Sequence, residues 1–308
     1  MSLAFVFPGQ GSQSVGMLAE LAESFPIVKQ TYQEASDVLG YDLWKLISEG
    51  PVEELNQTHI TQPALLAAGI AVWRVWQQKG GAQPVVLAGH SLGEYTALVA
   101  AGAISFVDAI ALVAERGKYM QEAVPAGEGG MAAILGLDDD KVIAVCEQAA
   151  DGEIVSAVNF NSPGQVVIAG QASAVDRAIE IAKEAGAKRA LKLAVSAPSH
   201  CALMQPAAKR LAERLASIEI QPPSIPVINN ADVSMTTDAD AIRDALVRQL
   251  YSPVRWVESV EKMSSDGVDR LIECGPGKVL VGLNKRIVKT MSAAAIFDIA
   301  TLDAALAE

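Results

Sequence analysis

A serine that is to act as a nucleophile needs an accessible hydroxyl and a base to take its proton. Gly89-His90-Ser91-Leu92-Gly93 is a G-x-S-x-G pattern, which lifts a serine clear of the backbone on a sharp turn between a strand and a helix. The flanks agree with that context. Residues 85–88 are a short apolar run after Pro84 and read as a buried parallel strand. Residues 94–101 are rich in helix formers. The N–H groups at the start of that helix would face any oxyanion formed at the serine.

Histidine is the usual base near neutral pH, and the chain has three, His59, His90 and His200. His90 directly precedes Ser91, and neighbours across a sharp turn do not aim at each other. His59 lies in the polar stretch Asn56-Gln57-Thr58-His59 and reads as a surface residue. His200, in Ala197-Pro198-Ser199-His200 at the entry to a helix, is the best candidate. An ordinary α/β-hydrolase would place an Asp or Glu after a strand between serine and histidine. Here the acids of that interval lie at helix starts, so the expectation is a Ser–His dyad whose histidine is oriented by a neutral group, a backbone carbonyl. Arg116 sits on a helix among Ile110, Leu112, Val113 and Met120. A lone helical arginine usually belongs to a solvated face, but these apolar neighbours point to the border of a cavity.

Positioning such groups requires a framework. Leu3–Phe7 reads as a buried strand emptying at Pro8 into Gly9-Gln10-Gly11-Ser12-Gln13, and the carboxyl edge of an open α/β sheet is where such folds bind ligands. Residues 17–39 have helical periodicity with a break near Pro26, residues 43–47 and 52–55 suggest short helices, and residues 64–77 an apolar helix with Trp73 and Trp76 in the core. Residues 106–123 read as another helix. From residue 130 to 195 the order becomes β-α-β-β-α-β, the ferredoxin-like unit, with Asn161-Ser162-Pro163-Gly164 as the turn of its central hairpin. Beyond it, residues 202–218, 239–250, 254–265 and 278–289 read as helices, and residues 226–229 and Arg270–Cys274 as strands. The expected fold is α/β: an α/β-hydrolase-like body with a four-stranded parallel sheet, residues 1–124 and 196–308, and an inserted ferredoxin-like subdomain, residues 125–195. Residues 291–308 are Ala-rich and expected to be a loosely held tail.

Composition narrows the classes. At 308 residues two subdomains are the starting expectation, and 51% hydrophobic residues suffice for a large core. A net charge of −12 excludes the basic footprint of a nucleic-acid binder. Cys146, Cys201 and Cys274 are widely spaced, no Cys/His cluster has zinc-ligand spacing, and so sparse a set suits a reducing compartment. Residues 1–8 lack the basic start of a signal peptide. The longest apolar stretch, residues 97–114, is broken by Gly102, Ser105 and Asp108 and reads as helix–loop–helix rather than a membrane span. The expectation is a cytoplasmic protein with no metal and no membrane contact.

Six motifs occur in order: Phe5-Val6-Phe7-Pro8-Gly9-Gln10-Gly11-Ser12-Gln13, Gln62-Pro63-Ala64, Gly89-His90-Ser91-Leu92-Gly93-Glu94, Arg116-Gly117, Asn159-Phe160-Asn161-Ser162-Pro163-Gly164-Gln165 and Gly275-Pro276-Gly277. Together, over nearly the whole chain, they resemble the malonyl-CoA:acyl carrier protein transacylases of bacterial type II fatty acid synthesis. The stand-alone length favours that family over an acyltransferase domain of a polyketide synthase. The resemblance implies Ser91 as the nucleophile that carries the malonyl ester and His200 as general base, then acid. It implies the backbone N–H groups of Gln10 and Leu92 as the oxyanion hole, and Arg116 as the partner of the free malonyl carboxylate. Gln62 and His90 would line the acyl pocket, and the Gln249 carbonyl would orient His200. Malonyl-CoA and acyl carrier protein are the implied partners, no cofactor is implied, and a monomer is the working expectation. Many malonyl-selecting relatives carry Phe before the base histidine. Ser199 stands there in this chain, which leaves room beside the acyl group and bears on exclusion of methylmalonyl.

Two other classes share part of the pattern. A serine esterase or thioesterase would use the same elbow but release acid to water. A non-catalytic carrier-docking module would have no need of Ser91, His200 and Arg116 together.

Overall fold

In the computed structural model residues 2–194 and 197–307 are described. The described strands are β1 (Leu3–Phe7), β2 (Val86–Gly89), β3 (Gly129–Leu135), β4 (Val155–Ser162), β5 (Gln165–Gln171), β6 (Arg189–Lys192), β7 (Val227–Ile228), β8 (Arg270–Cys274) and β9 (Ser292–Ile296). β1, β2 and β8 are buried at every residue. Strands without an exposed face belong in a parallel sheet covered on both sides. They form the middle of a five-stranded parallel sheet in the order β7-β2-β1-β8-β9. Phe5 of β1 meets Trp73 and Trp76 edge-on, with ring centroids 5.4 and 5.2 Å away. Such pairs contribute about 0.5–1.5 kcal/mol each beyond their burial, and these fix the helix Thr58–Gln78 to the sheet.

The second sheet is antiparallel, in the order β4-β5-β3-β6. The helices Asp139–Ala150 and Ala172–Glu184 bury Val142, Val145, Val175 and Ala178 against it. This is the ferredoxin-like arrangement. Its β4 edge is closed by the body: Val254 N–H donates to Val158 O at 2.8 Å, and Phe160 N–H donates to Val254 O at 3.1 Å. That seam brings the β4 asparagines to the carboxyl edge of the parallel sheet.

Four expectations are corrected. The parallel sheet has five strands, because the supposed tail supplies β9 and the helix Ile299–Ala307. Alanines carry little strand preference of their own; β8 supplies the pairing, and Arg270 Nη2 ties the helix down at Ala305 O, 2.6 Å away. The long helix begins at Thr58 and runs through Pro63, which lies one turn in, where a missing N–H removes a single intrahelical bond. β4 extends through Asn161 and Ser162, so only Pro163 and Gly164 make the hairpin turn. Residues 202–218 divide into a 3₁₀ turn, Ala202–Met204, and a helix, Gln205–Leu215. The expected boundary between Val195 and Ser196, and the end of the strand drawn to Val195, lie outside the described residues.

Candidate active site

β2 leaves the sheet at Gly89, and Ser91 follows at φ 52°, ψ −107°, immediately before the helix Leu92–Ala100. The backbone there is so tight that a Cβ on Gly89 would lie 1.8 Å from the Gly93 carbonyl carbon, and one on Gly93 2.0 Å from Phe7 O. Both positions must be glycine. Holding a serine at positive φ costs about 1–3 kcal/mol, which the surroundings must supply. Ser91 N–H donates to Asn230 Oδ1 at 2.7 Å, and Asn230 Nδ2 donates to Gly89 O at 2.6 Å. His90 N–H donates to Phe7 O at 3.0 Å.

His200 is also at positive φ, 66°, with its N–H on Leu250 O at 2.9 Å. Its Nδ1 stands 2.7 Å from Gln249 O, which can only accept, so Nδ1 carries the proton. Nε2 is therefore bare and faces Ser91 Oγ at 2.8 Å. The acceptor behind the imidazole is a neutral carbonyl. Burial, and after it the charge of Arg116, hold His200 down to about 3. The imidazole is uncharged at neutral pH and free to take a proton from the serine.

Arg116 is 1% exposed on the helix Phe106–Ala123. Nη1 donates to Gln62 Oε1 at 2.6 Å and Nη2 to Gln249 Oε1 at 3.1 Å, and Nη2 lies 3.4 Å from Ser91 Oγ. The guanidinium stands 5.2 Å from the centre of the Tyr95 ring. Its Nε has no hydrogen-bond partner among the described residues. A buried cation held by neutral amides and a ring, beside a nucleophile, is a place for an anionic group. Gln62 is fully buried behind Arg116. It grips the guanidinium, and both Gln62 and Arg116 lie behind the wall of the open cavity, which Arg116 reaches through Ser91 Oγ.

That cavity opens over Ser91 and His200, with Gln10, His90 and Ser199 on the body side and Met131, Asn159, Val167 and Leu193 from the insert. Leu92 is the first residue of its helix, so its N–H has no carbonyl one turn back to bond. Gln10 lines the cavity wall, its side chain donating to Thr58 Oγ1 at 3.2 Å. His90 Nε2 donates to Asn161 Oδ1 at 2.8 Å, joining elbow to insert, and burial lowers its pKa. His59 is half-buried, with Nδ1 2.8 Å from Gln121 Oε1, and is not part of the constellation. Among the described residues no group of three or more His, Cys, Asp or Glu could hold a metal ion.

Sequence reading missed Asn230, the Gln249 side chain and the placement of Glu94. Asn229-Asn230 is a polar pair after the apolar β7, a signal that could have marked the sheet's carboxyl edge. Nothing local could have paired them with Ser91.

The family model described as "Acyl transferase domain" matches residues 4–301. The chain is 64% identical over 305 residues to the malonyl CoA-acyl carrier protein transacylase of Salmonella typhimurium, covering 99% of each. It superposes on the crystal structure of an acyl carrier protein S-malonyltransferase from Vibrio cholerae with TM-score 0.97 and 66% identity, covering 99% of each chain. It superposes likewise, with TM-score 0.99 and 62% identity over 100% of this chain and 99% of the other, on a malonyl-transacylase in complex with a holo type II PKS acyl-carrier protein.

Proposed function

The chain belongs to the acyl transferase family, and from that premise we propose that it moves a malonyl group from malonyl-CoA to the phosphopantetheine thiol of acyl carrier protein, supplying the extender unit of fatty acid synthesis. One observation carries the reading: the Ser91–His200 pair, 2.8 Å apart, lies beside a buried arginine that, among the described residues, has no carboxylate in direct contact. A hydrolase of neutral esters gains nothing from such an arginine. An enzyme that selects a carboxylated acyl group needs it.

In the proposed course, Ser91 Oγ attacks the thioester carbonyl while His200 Nε2 takes its proton. The backbone N–H groups of Gln10 and Leu92 hold the oxyanion, and the Gln249 carbonyl steadies the imidazolium through Nδ1. Collapse expels the CoA thiolate, which leaves with the proton from His200. The carrier thiol then gives its proton to His200, attacks the Ser91 ester and departs as malonyl thioester, while Ser91 recovers its proton. One serine serving two thiols in turn implies ping-pong kinetics. A carboxylate on Arg116 also offsets the charge that helps hold His200 down. The malonyl group thereby makes its own base stronger.

Residues 1–124 with 196–308 act in this reading as the catalytic body and residues 125–195 as the insert that closes over the thiol-bearing arm. His90 lines the acyl pocket, Gln62 sets Arg116 from behind, and no cofactor is used. Among the described residues no helix is long and apolar enough to cross a membrane. The three free cysteines accord with a reducing compartment, and the reading places the enzyme in the cytoplasm. The test is incubation with malonyl-CoA, with and without holo carrier protein. The reading expects malonyl-carrier protein in the first case and little free malonate in the second; rapid malonate release without carrier would make it a thioesterase.

A further inference from the structure

Glu94 closes the Gly89–Glu94 motif, and the reaction course above leaves it without a task. It is 2% exposed, on the first turn of the helix behind Ser91. Its Oε2 accepts twice: from the backbone N–H of Asn230 at 2.9 Å and from Gln249 Nε2 at 2.8 Å. Both donors reach the reacting groups through their other atoms. The Asn230 side chain bonds Ser91 N–H and Gly89 O. Gln249 Nε2 also donates to Ser91 O at 2.9 Å, its Oε1 accepts from Arg116, and its backbone carbonyl holds His200.

Which way the Gln249 carboxamide faces is decided by these partners. The Ser91 carbonyl can only accept, and an Oε2 that already receives the Asn230 N–H acts as an acceptor too. Both therefore demand the NH₂ end of Gln249, and its oxygen must turn to Arg116. Without Glu94 one of the two fixed acceptors is gone. The carboxylate also stands one amide away from the guanidinium instead of pairing with it. It offsets the buried charge, and the partners the guanidinium holds directly are the neutral amides of Gln62 and Gln249. Burial pushes the Glu94 carboxyl up to about 7, while the Asn230 and Gln249 donors and Arg116 act to lower it.

We propose that Glu94 is a positioning residue: through Gln249 it sets Arg116 and the carbonyl behind His200, and through Asn230 it sets the elbow, so that nucleophile, base and carboxylate reader share one frame. This rests on the acyl-transfer reading. The frame depends on the reach of the acceptor oxygen, not on its charge, and two variants separate the two. Glu94→Asp keeps the charge and shortens the reach; Glu94→Gln keeps the reach and removes the charge. Ser91 acylation by malonyl-CoA and by acetyl-CoA, and its sulfonylation by phenylmethylsulfonyl fluoride, are timed by intact-protein mass, with thermal melting alongside.

Glu94→Asp is expected to slow malonyl acylation roughly 100-fold, the scale of a misplacement of about 1 Å. Acetyl acylation, which does not use Arg116, falls less, so the malonyl-to-acetyl ratio drops. Sulfonylation slows as well, and Glu94→Gln recovers most of each loss. The proposal is overturned if Glu94→Asp keeps the parent's rates and ratio, if both acyl groups fall equally in step with melting temperature, or if Glu94→Gln is as slow as Glu94→Asp. Failure of the parent to take malonyl from CoA would instead sink the acyl-transfer reading, and the sulfonylation rates would still decide the role of Glu94.

Discussion

Malonyl and acetyl groups differ by one carboxylate, and replacing Arg116 by alanine should remove the discrimination between them. In the structure the guanidinium is 1% exposed and touches Gln62, Gln249 and Tyr95, all neutral at pH 7, with Nη2 3.4 Å from Ser91 Oγ. A malonyl ester on Ser91 would place its carboxylate against this fork in a site closed to water. Arg116→Ala leaves that carboxylate desolvated and unpaired, a loss of about 2–5 kcal/mol for one partner of a buried charge pair. At about 1.4 kcal/mol per decade, malonyl acylation should fall by roughly two to three orders of magnitude. Acetyl needs no counter-charge and should hold steady or rise. Arg116→Lys, which keeps the charge without the planar fork, should lie between. The assay is the initial rate of Ser91 acylation by each acyl-CoA, read by intact mass, with acetyl labelling as the control for an intact nucleophile. Equal losses for malonyl and acetyl would make Arg116 structural and remove the physical basis of the substrate assignment.

His200→Ala should slow acylation by roughly two to four orders of magnitude, the usual worth of a positioned base; near-normal turnover would hand the role to His90 or His59. Because burial holds His200 down to about 3, Ser91 sulfonylation should stay level from pH 8 to about 5.5, with no step at the ordinary histidine value of about 6.5. A midpoint near 6.5 would contradict the buried neutral base. For stability the signs divide, since unfolded His200 and His90 take protons below about 6.5 while burial holds both down in the fold, so their contribution is lost as pH falls below that value. Glu94 and Glu273, both pushed up to about 7 by burial, bind protons in the fold first and restore stability over the same descent; melting should therefore change little from pH 7 to 5, and a steep acid loss would show that the carboxyls are not raised. Lys285 and Arg286 are exposed beside the insert, with Arg286 donating to Gln165 Oε1 at 3.0 Å, and Gln165 shares a row of the antiparallel sheet with Leu135 and the exposed Arg189. Reversing Lys285 and Arg286 to Glu should raise the KM for an acidic carrier protein and leave that for malonyl-CoA unchanged; equal effects on both would exclude this face from docking.

The parts of the fold legible in the sequence were those whose signal is local. Val86–Gly89, the two elbow glycines and the helix behind them are contiguous, and so is the β-α-β-β-α-β order of the insert. β9 was not legible, because Ser292–Ile296 is mostly alanine and becomes a strand only beside β8. Pro63 misplaced a helix start, since one missing bond near a terminus is outweighed by the burial of Leu65, Leu66 and Val72. At the site, elimination among three histidines reached His200, and the lack of a well-placed acid pointed to a carbonyl. Asn230 and the Gln249 side chain act over more than a hundred residues of separation. The pairing of β7 with β2 brings Asn230 to Ser91 and the end of the helix Ala239–Gln249 brings Gln249, and no spacing rule encodes either.

The proposed reaction turns on a malonyl ester at Ser91 that waits for a thiol. Intact-protein mass spectrometry after brief exposure to malonyl-CoA measures it directly. The prediction is a single malonyl adduct, mapped to Ser91, absent from Ser91→Ala, persistent in buffer and discharged by holo carrier protein. An adduct on another residue, labelling that survives Ser91→Ala, or an adduct lost to water as fast as to the carrier thiol would contradict it.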